Sequence, residues 1–320
     1  MYMNIDILIA IVSLLIFFIL LFLLNKENFI IYSNTVLGKL FAIFIILTVS
    51  NYDNSLGLLM IFIVLSYYKI YGYDTWNLYE KTDFLDGVDV IYWINLDRSK
   101  GRKANMETLF KDPIFLGKPI NRVQAVDGKS DVVYDKLNLK HKQNTKLEYA
   151  CLLSHLSAIR AFSESFYENA IIFEDDITLE FKKYWRKSLR EIIANAPDDW
   201  EIIQLCYITS STLQSDYTLN NYQRNRYGAI ASMAAYIINN KAAKKFIQET
   251  YNPVTERYTL LNFHTHEADH YLYKCLKTYT YKYPYFIYPT DNTSTLHPED
   301  LSSHIRSKMR LENMYFSLNM

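Results

Sequence analysis

The hydrophobic pattern changes character along this chain. Residues 7–24, ILIAIVSLLIFFILLFLL, contain no charged side chain. At about 1.5 Å rise per residue the run nearly matches a hydrocarbon core of about 30 Å, and its flanks complete a span. A cleaved signal peptide would need a basic start and a small-residue cleavage site. Only Asp6 precedes the run and no such site follows, so a retained anchor is the better reading. Two shorter apolar runs, 40–49 and 56–68, flank the polar SNYDNS. They predict either further short spans, over 37–50 and 56–71, or a tight helical hairpin.

From about Gly87 strands alternate with helices. VDVIYWINL (88–96) is β-branched and aromatic and stops at polar DRSKGR, as a buried strand does. A helix over about 102–110 is closed by Pro113, and INRVQAV (120–126) is the next strand, ended by the turn pair Asp127-Gly128. The polar stretch to about Lys146 predicts a surface loop. Leu152, Leu156, Ile159, Phe162 and Phe166 recur at helical spacing within 148–167. Strand 170–173 runs straight into Glu174-Asp175-Asp176. A helix over 182–195, strands 200–206 and 230–239, a helix over 240–250 capped by Asn240, a helix over 267–277 and an extended YTYKYPYFIYP (279–289) complete the pattern. Such alternation predicts a mainly parallel central sheet flanked by helices. The domains expected are a membrane anchor (1–73), a linker (74–87) and one catalytic domain (88–320).

Charge sharpens this division. The chain has 34 basic and 34 acidic side chains, of which residues 1–73 hold six, three of each sign. Zero balance argues against a general nucleic-acid binder, so no nucleic-acid partner is expected. Lys26, Lys39, Lys69 and Lys81 follow the first apolar run, which favours a cytosol-facing over a lumenal catalytic domain. Cys151, Cys206 and Cys275 are too few and too spread for a disulfide framework or a zinc knuckle, and they suit a reducing compartment. One glycosylation sequon, Asn292-Thr293-Ser294, points the other way.

Three segments carry candidate chemistry. Glu174-Asp175-Asp176 places three mutually repelling carboxylates at a strand end, where ligands bind in open α/β sheets. Hard oxygens suit Mg²⁺ or Mn²⁺ bridging to a diphosphate; a solvated acidic turn is the bland alternative. His264-Thr265-His266-Glu267-Ala268-Asp269-His270 has histidines and acids but no HExxH spacing, so a catalytic carboxylate is favoured over a zinc site. Thr290 to Pro298, with His297, is a polar loop near the chain end. Ser154-His155, with no acid beside it in sequence, reads by itself as a satisfied structural histidine.

In order along the chain, five short motifs resemble glycosyltransferase family 25, the lipooligosaccharide and procollagen galactosyltransferase group. They are Ile94-Asn95-Leu96-Asp97-Arg98 with Arg102, Ala125-Val126-Asp127-Gly128, Glu148 to His155, Phe173-Glu174-Asp175-Asp176, and Ala235 to Ile238 followed by Ala242 to Lys245. Leu147 and Ala150 replace two glycines of the third motif. The resemblance implies a GT-A type nucleotide-sugar fold, here preceded by transmembrane helices. It also implies a UDP-sugar donor and a divalent metal, Mn²⁺ with Mg²⁺ possible. Asn95, Leu96, Arg98, Arg102, Asp127, His155 and Asp175 are then expected at the donor. Glu174 and Asp176, with His297, are expected at the metal, which would offset charge on the departing nucleotide. Attack by an acceptor hydroxyl in the implied inverting reaction needs a base; Asp269 is the candidate and Glu267 the second. The function expected is membrane-anchored transfer of a hexose, galactose or glucose, to a glycan or protein hydroxyl, with donor, acceptor and lipid bilayer as partners. A metal-dependent nucleotidyl- or phosphotransferase and a non-catalytic module keeping the fold are the alternatives.

Overall fold

The computed structural model describes residues 29, 33, 36–71, 83–139, 143–209, 221–225, 230–290 and 301–316. The chain divides into two compact units, residues 1–81 with 319–320, and residues 82–318.

In the first unit, α1 (Val36–Tyr52) and α2 (Asn54–Tyr71) are separated by Asp53 alone. The Asp53 carboxylate accepts from the Ser55 and Leu56 backbone N–H groups and so starts α2. Gly57 allows the close approach of the two helices: a Cβ there would lie 2.8 Å from Ser50 Cα. Of the two expectations for this region, the helical hairpin is the one realised. Among the described residues no helix is long and apolar enough to cross a membrane. With 17 residues, α1 reaches only about 25 Å, and α2 takes in Asn54, Ser55 and Lys69 at its ends. The short spans expected over 37–50 and 56–71 are therefore not spans, and the described residues give no support to the expected membrane anchor, bilayer partner or cytosol-facing catalytic domain. The run 7–24 lies outside the described residues.

The second unit is a three-layer α/β domain. Its elements are β1 (Val90–Asn95), α3 (Lys100–Leu109), β2 (Ile120–Gln124), α4 (Val132–Asp135), β3 (Leu137–Asn138), α5 (Lys146–Ser163), β4 (Asn169–Phe173), α6 (Leu189–Ala194), β5 (Ile202–Gln204), β6 (Tyr222–Arg224), β7 (Ala235–Asn239), α7 (Asn240–Thr250), β8 (Tyr251–Asn252), β9 (Arg257–Thr259), α8 (Ala268–Cys275), β10 (Thr278–Tyr281) and α9 (Leu301–Phe316). Among the described residues seven strands form the central sheet in the order β2-β1-β4-β7-β5-β10-β6, and β3-β9-β8 make a small second sheet.

Alternation along the buried strands feeds two cores. Ile91 and Trp93 of β1, Ile171 and Phe173 of β4, and Ile237 of β7 face Met106 of α3, Leu189 and Ile192 of α6 and Leu311 of α9. Their neighbours Val90, Tyr92, Ile94, Ile172, Tyr236 and Ile238 face α5, α7 and α8.

The sheet is mixed, which corrects the mainly parallel arrangement expected. β1 runs parallel to β2 and β4, and β5 parallel to β10. β7 lies antiparallel to both β4 and β5, and β6 antiparallel to β10. A fully buried strand reads as a continuous apolar run whichever way its neighbours point, so direction was invisible in the pattern.

Local signals explain the remaining shifts. α5 starts at a capping box, with Thr145 and Glu148 exchanging bonds between side chain and backbone. The helix expected over 182–195 splits into a 3₁₀ turn (Glu180–Tyr184) and α6, which restarts at a second capping box, Ser188 with Glu191. The cap of α7 is Asn239 rather than Asn240, its side chain accepting from the Ala242 N–H. The expected loop before Lys146 includes α4 and β3.

Candidate active site

Strand register brings the first and fourth motifs together. Trp93 pairs with Phe173 in the parallel β1–β4 ladder, so Asn95 and Asp175 come level just beyond it. Asn95 is 1% exposed and bridges opposite charges. Its Nδ2 donates to Asp175 Oδ2 at 2.5 Å, and its Oδ1 accepts from Arg122 Nη2 at 2.9 Å. A guanidinium only donates and an ionised carboxylate only accepts, so these partners fix the amide orientation. Arg102, from the first turn of α3, closes the other side, with Nη1 2.9 Å from Asp175 Oδ1 and 3.3 Å from Asp176 Oδ2. Burial opposes its charge, but the Asp176, Asp175 and Glu174 carboxylates outweigh that and raise its pKa.

The three acids therefore have different fates. Asp175 has both oxygens engaged, by Asn95 and Arg102. Glu174 Oε1 lies 2.9 Å from His155 Nε2, while His155 Nδ1 lies 3.3 Å from the Tyr236 hydroxyl. The acid that sequence spacing did not offer His155 is supplied across space by the end of β4, and the ring is fully buried. Asp176 keeps one oxygen, Oδ1, buried with no hydrogen-bond partner. Burial pushes its carboxyl up to about 7, reinforced by Glu174 and Asp175 and partly offset by Arg102. An orphaned carboxylate oxygen beside a second carboxylate fits a hard divalent cation in its donor chemistry.

Antiparallel β7 completes the site. Its pairing sets Phe173 opposite Ala235, and the Glu174 N–H donates to Ala234 O at 2.9 Å. Residues 232–234, just before β7, thus lie against the acidic turn. Ser232 has φ +90°, an uncommon conformation for a residue with a Cβ. It is over-determined: its carbonyl accepts from Gln204 Nε2 at 2.7 Å and Tyr273 Oη at 2.5 Å, and its N–H donates to Asp269 Oδ2 at 2.9 Å. Asp269 Oδ1 accepts from the His270 N–H at 2.8 Å. Burial opposes ionisation of Asp269, but its bonds with His270 and Ser232 prevail and hold its pKa below the ordinary value. The bond to Asp269 raises His270 to about 9, with Glu267 Oε2 2.8 Å from the same Nδ1.

Among the described residues three cavities reach the acids; one of about 750 Å³ is lined by Arg102, Asp175 and Asp176 among others, and the other two share Glu174. Of these two, one of about 150 Å³ is lined by Asn95, Leu96, Arg98, Gly128, Cys151, His155 and all three acids. The other, about 430 Å³, is lined by Glu174, Asp176, Ser232, Glu267, Asp269 and His270 among others. Asp127 stands at the rim, 2.9 Å from Arg98 Nε in an exposed pair. The structure thus gathers Asn95, Leu96, Arg98, Arg102, His155 and Glu174 to Asp176 at one end of the sheet, with Glu267 and Asp269 across the cavity of about 430 Å³. His297 lies outside the described residues.

Arg122 and Ser232 carried no site role in the sequence, while Cys151, Tyr236 and His270 stood within the five motifs and the segment 264–270 without a role of their own. Arg122 had one signal, a cation inside a predicted strand; Ser232 had none, because its role rests on backbone conformation.

The family model for glycosyltransferase family 25 (LPS biosynthesis protein) matches residues 88–261, more than half of the chain. No curated protein matches the sequence. The matched residues run from β1 through the acidic turn and β7, and Glu267 and Asp269 lie just beyond them. The motif order, the assembly of the first four motifs at one sheet end and the family match agree, and the chain belongs to glycosyltransferase family 25.

Proposed function

We propose that this glycosyltransferase moves a hexose, galactose or glucose, from a UDP-sugar to a hydroxyl of a glycan or protein, with inversion and with help from a divalent metal. The observation that carries this reading is the Asp176 carboxylate, which lines all three cavities and keeps one buried oxygen without a partner. Asp176 and Glu174 would hold the metal, Mn²⁺ or Mg²⁺, which when bound supplies positive charge to the diphosphate leaving group. Asn95, Leu96, Arg98 and His155 surround the cavity of about 150 Å³ and would receive the donor. Asp175, clamped by Asn95 and Arg102, fixes the acidic turn so that its neighbour points into the site. Arg98 and Asp127 would orient the donor at the rim through their ion pair.

The acceptor would enter the cavity of about 430 Å³ that Glu267 and Asp269 line. Asp269 accepts the hydroxyl proton there as the acceptor oxygen bonds to the sugar C1 and the C1–O bond to the diphosphate breaks. Asp269 Oδ1 is engaged by the His270 N–H and faces its ring Nδ1, whereas Oδ2 takes one N–H bond, from Ser232, and has a second lone pair to receive that proton. Glu267, paired with His270, is the second candidate base.

A panel of UDP-hexoses assayed with and without Mn²⁺ tests the reading. Transfer should require the metal, and Asp176→Asn should lower kcat at least about 100-fold. Undiminished transfer by D176N, or transfer insensitive to chelator, would overturn the metal assignment.

A further inference from the structure

The acidic turn also takes part in a donor set of different chemistry. Cys151 and His155 are four residues apart on α5 and so share one helix face, and Glu174 reaches that face from the end of β4. One ligand atom from each of the three lies within 4.8 Å of the others. We infer that Cys151, His155 and Glu174 form a binding site for a soft divalent cation, Zn²⁺ above all.

Zinc bonds of about 2.0–2.3 Å place tetrahedral ligands roughly 3.3–3.8 Å apart. The widest pair therefore needs to close by at most about 1–1.5 Å, while His155 Nε2 and Glu174 Oε1, now 2.9 Å apart, part slightly, both within a side-chain adjustment. Three protein ligands leave a fourth position open, and Cys151 lines the cavities of about 150 and 430 Å³, so an ion has a path from solvent. The supporting shell is present: Tyr236 Oη can donate to or accept from His155 Nδ1, which lets the imidazole keep its proton there and present Nε2 to the metal. Burial, with Glu174, Asp269 and Asp176 nearby, holds the Cys151 thiol protonated well above its usual range. A bound cation reverses that balance, forming the metal–sulfur bond as the thiol proton leaves to solvent.

The inference does not require the proposed transfer reaction. Thiolate and imidazole select a softer ion than the Asp176 oxygen does. Glu174 is common to both donor sets, so the soft ion would compete with the metal proposed for catalysis.

Co²⁺ reports thiolate ligation directly, through sulfur-to-metal charge-transfer absorption in the near ultraviolet. Titrated into the full chain, it should give that band, and stoichiometric Zn²⁺ should bleach it. Cys151→Ser should lose the band and bind Zn²⁺ at least tenfold more weakly, whereas Cys275→Ser should keep both. Asp176→Asn should also keep the band, which separates this site from the proposed catalytic metal. A wild-type chain without the band, or C151S retaining it, would overturn the inference.

Discussion

Asn95 offers the sharpest test of how the acidic turn is held. Asn95→Ala removes three hydrogen bonds to charged partners, one to Asp175 and two from Arg122. Such bonds contribute about 1.5–3 kcal/mol each. Asp175 keeps Arg102, and Arg122 keeps Asp97 at 2.6 Å and the residue 95 carbonyl at 3.1 Å, so neither charge is abandoned. Water from the adjacent cavity can replace part of the loss, and a net cost of about 2–4 kcal/mol follows. Asn95→Asp keeps the shape but turns the donor facing Asp175 into a second carboxylate oxygen across the same 2.5 Å. At pH 8 it should therefore be destabilised by at least 2 kcal/mol, in the range of a lost charged hydrogen bond. A carboxyl pair whose folded pKa is raised destabilises above the unfolded value near 4 and recovers as pH falls through the raised one. The N95D deficit should shrink at pH 5, when one shared proton restores a donor. Urea unfolding of the full chain at pH 8 and pH 5, followed by tryptophan fluorescence, measures both. Wild-type stability for N95D at pH 8, or a deficit unchanged at pH 5, would refute this account of the site.

Other consequences are as concrete. His270, raised to about 9 by Asp269 and Glu267, contributes stability that is full below its unfolded value near 6.5 and is lost as pH rises through about 9. With 35% of the side chain exposed, the shift is discounted to about 1 kcal/mol; urea midpoints across pH 6–10 should fall less in His270→Gln than in wild type. Gly87→Ala should cost at least about 2 kcal/mol in urea unfolding, because φ is +95° and the new Cβ would stand 2.6 Å from Arg190 backbone atoms. Thr145→Ala removes the cap of α5 and should cost about 1 kcal/mol, a loss that Thr145→Ser restores; thermal melts compare the three chains.

What the sequence disclosed depended on how local the signal was. Strand 170–173 and the acids after it were legible because an apolar run meeting three carboxylates is contiguous. The match of Asn95 with Asp175 needed only that β1 and β4 be parallel neighbours, since register then does the rest. On spacing alone His155 reads as a satisfied structural histidine, and the acid that satisfies it was not legible because it arrives from another element, at 2.9 Å. The break between the 3₁₀ turn and α6 was written in Ser188 and Glu191, a capping-box spacing that the helical run around it concealed. The direction of β7 was not written locally at all.

That unread direction matters most to the site. Were β7 parallel to β4, its C-terminal end and the first turn of α7 would lie beside Glu174. Antiparallel pairing instead presents the segment before β7, where Ser232 turns with φ +90° and offers its N–H to Asp269. A strained backbone is retained only when its surroundings hold it, and here Gln204, Tyr273 and Asp269 all do so. The strain thus ties Asp269, which lies beyond the family-matched residues, to the acidic turn that lies within them. One reversed strand joins the carboxylates proposed for the metal to the carboxylate proposed as base, across a single cavity of about 430 Å³.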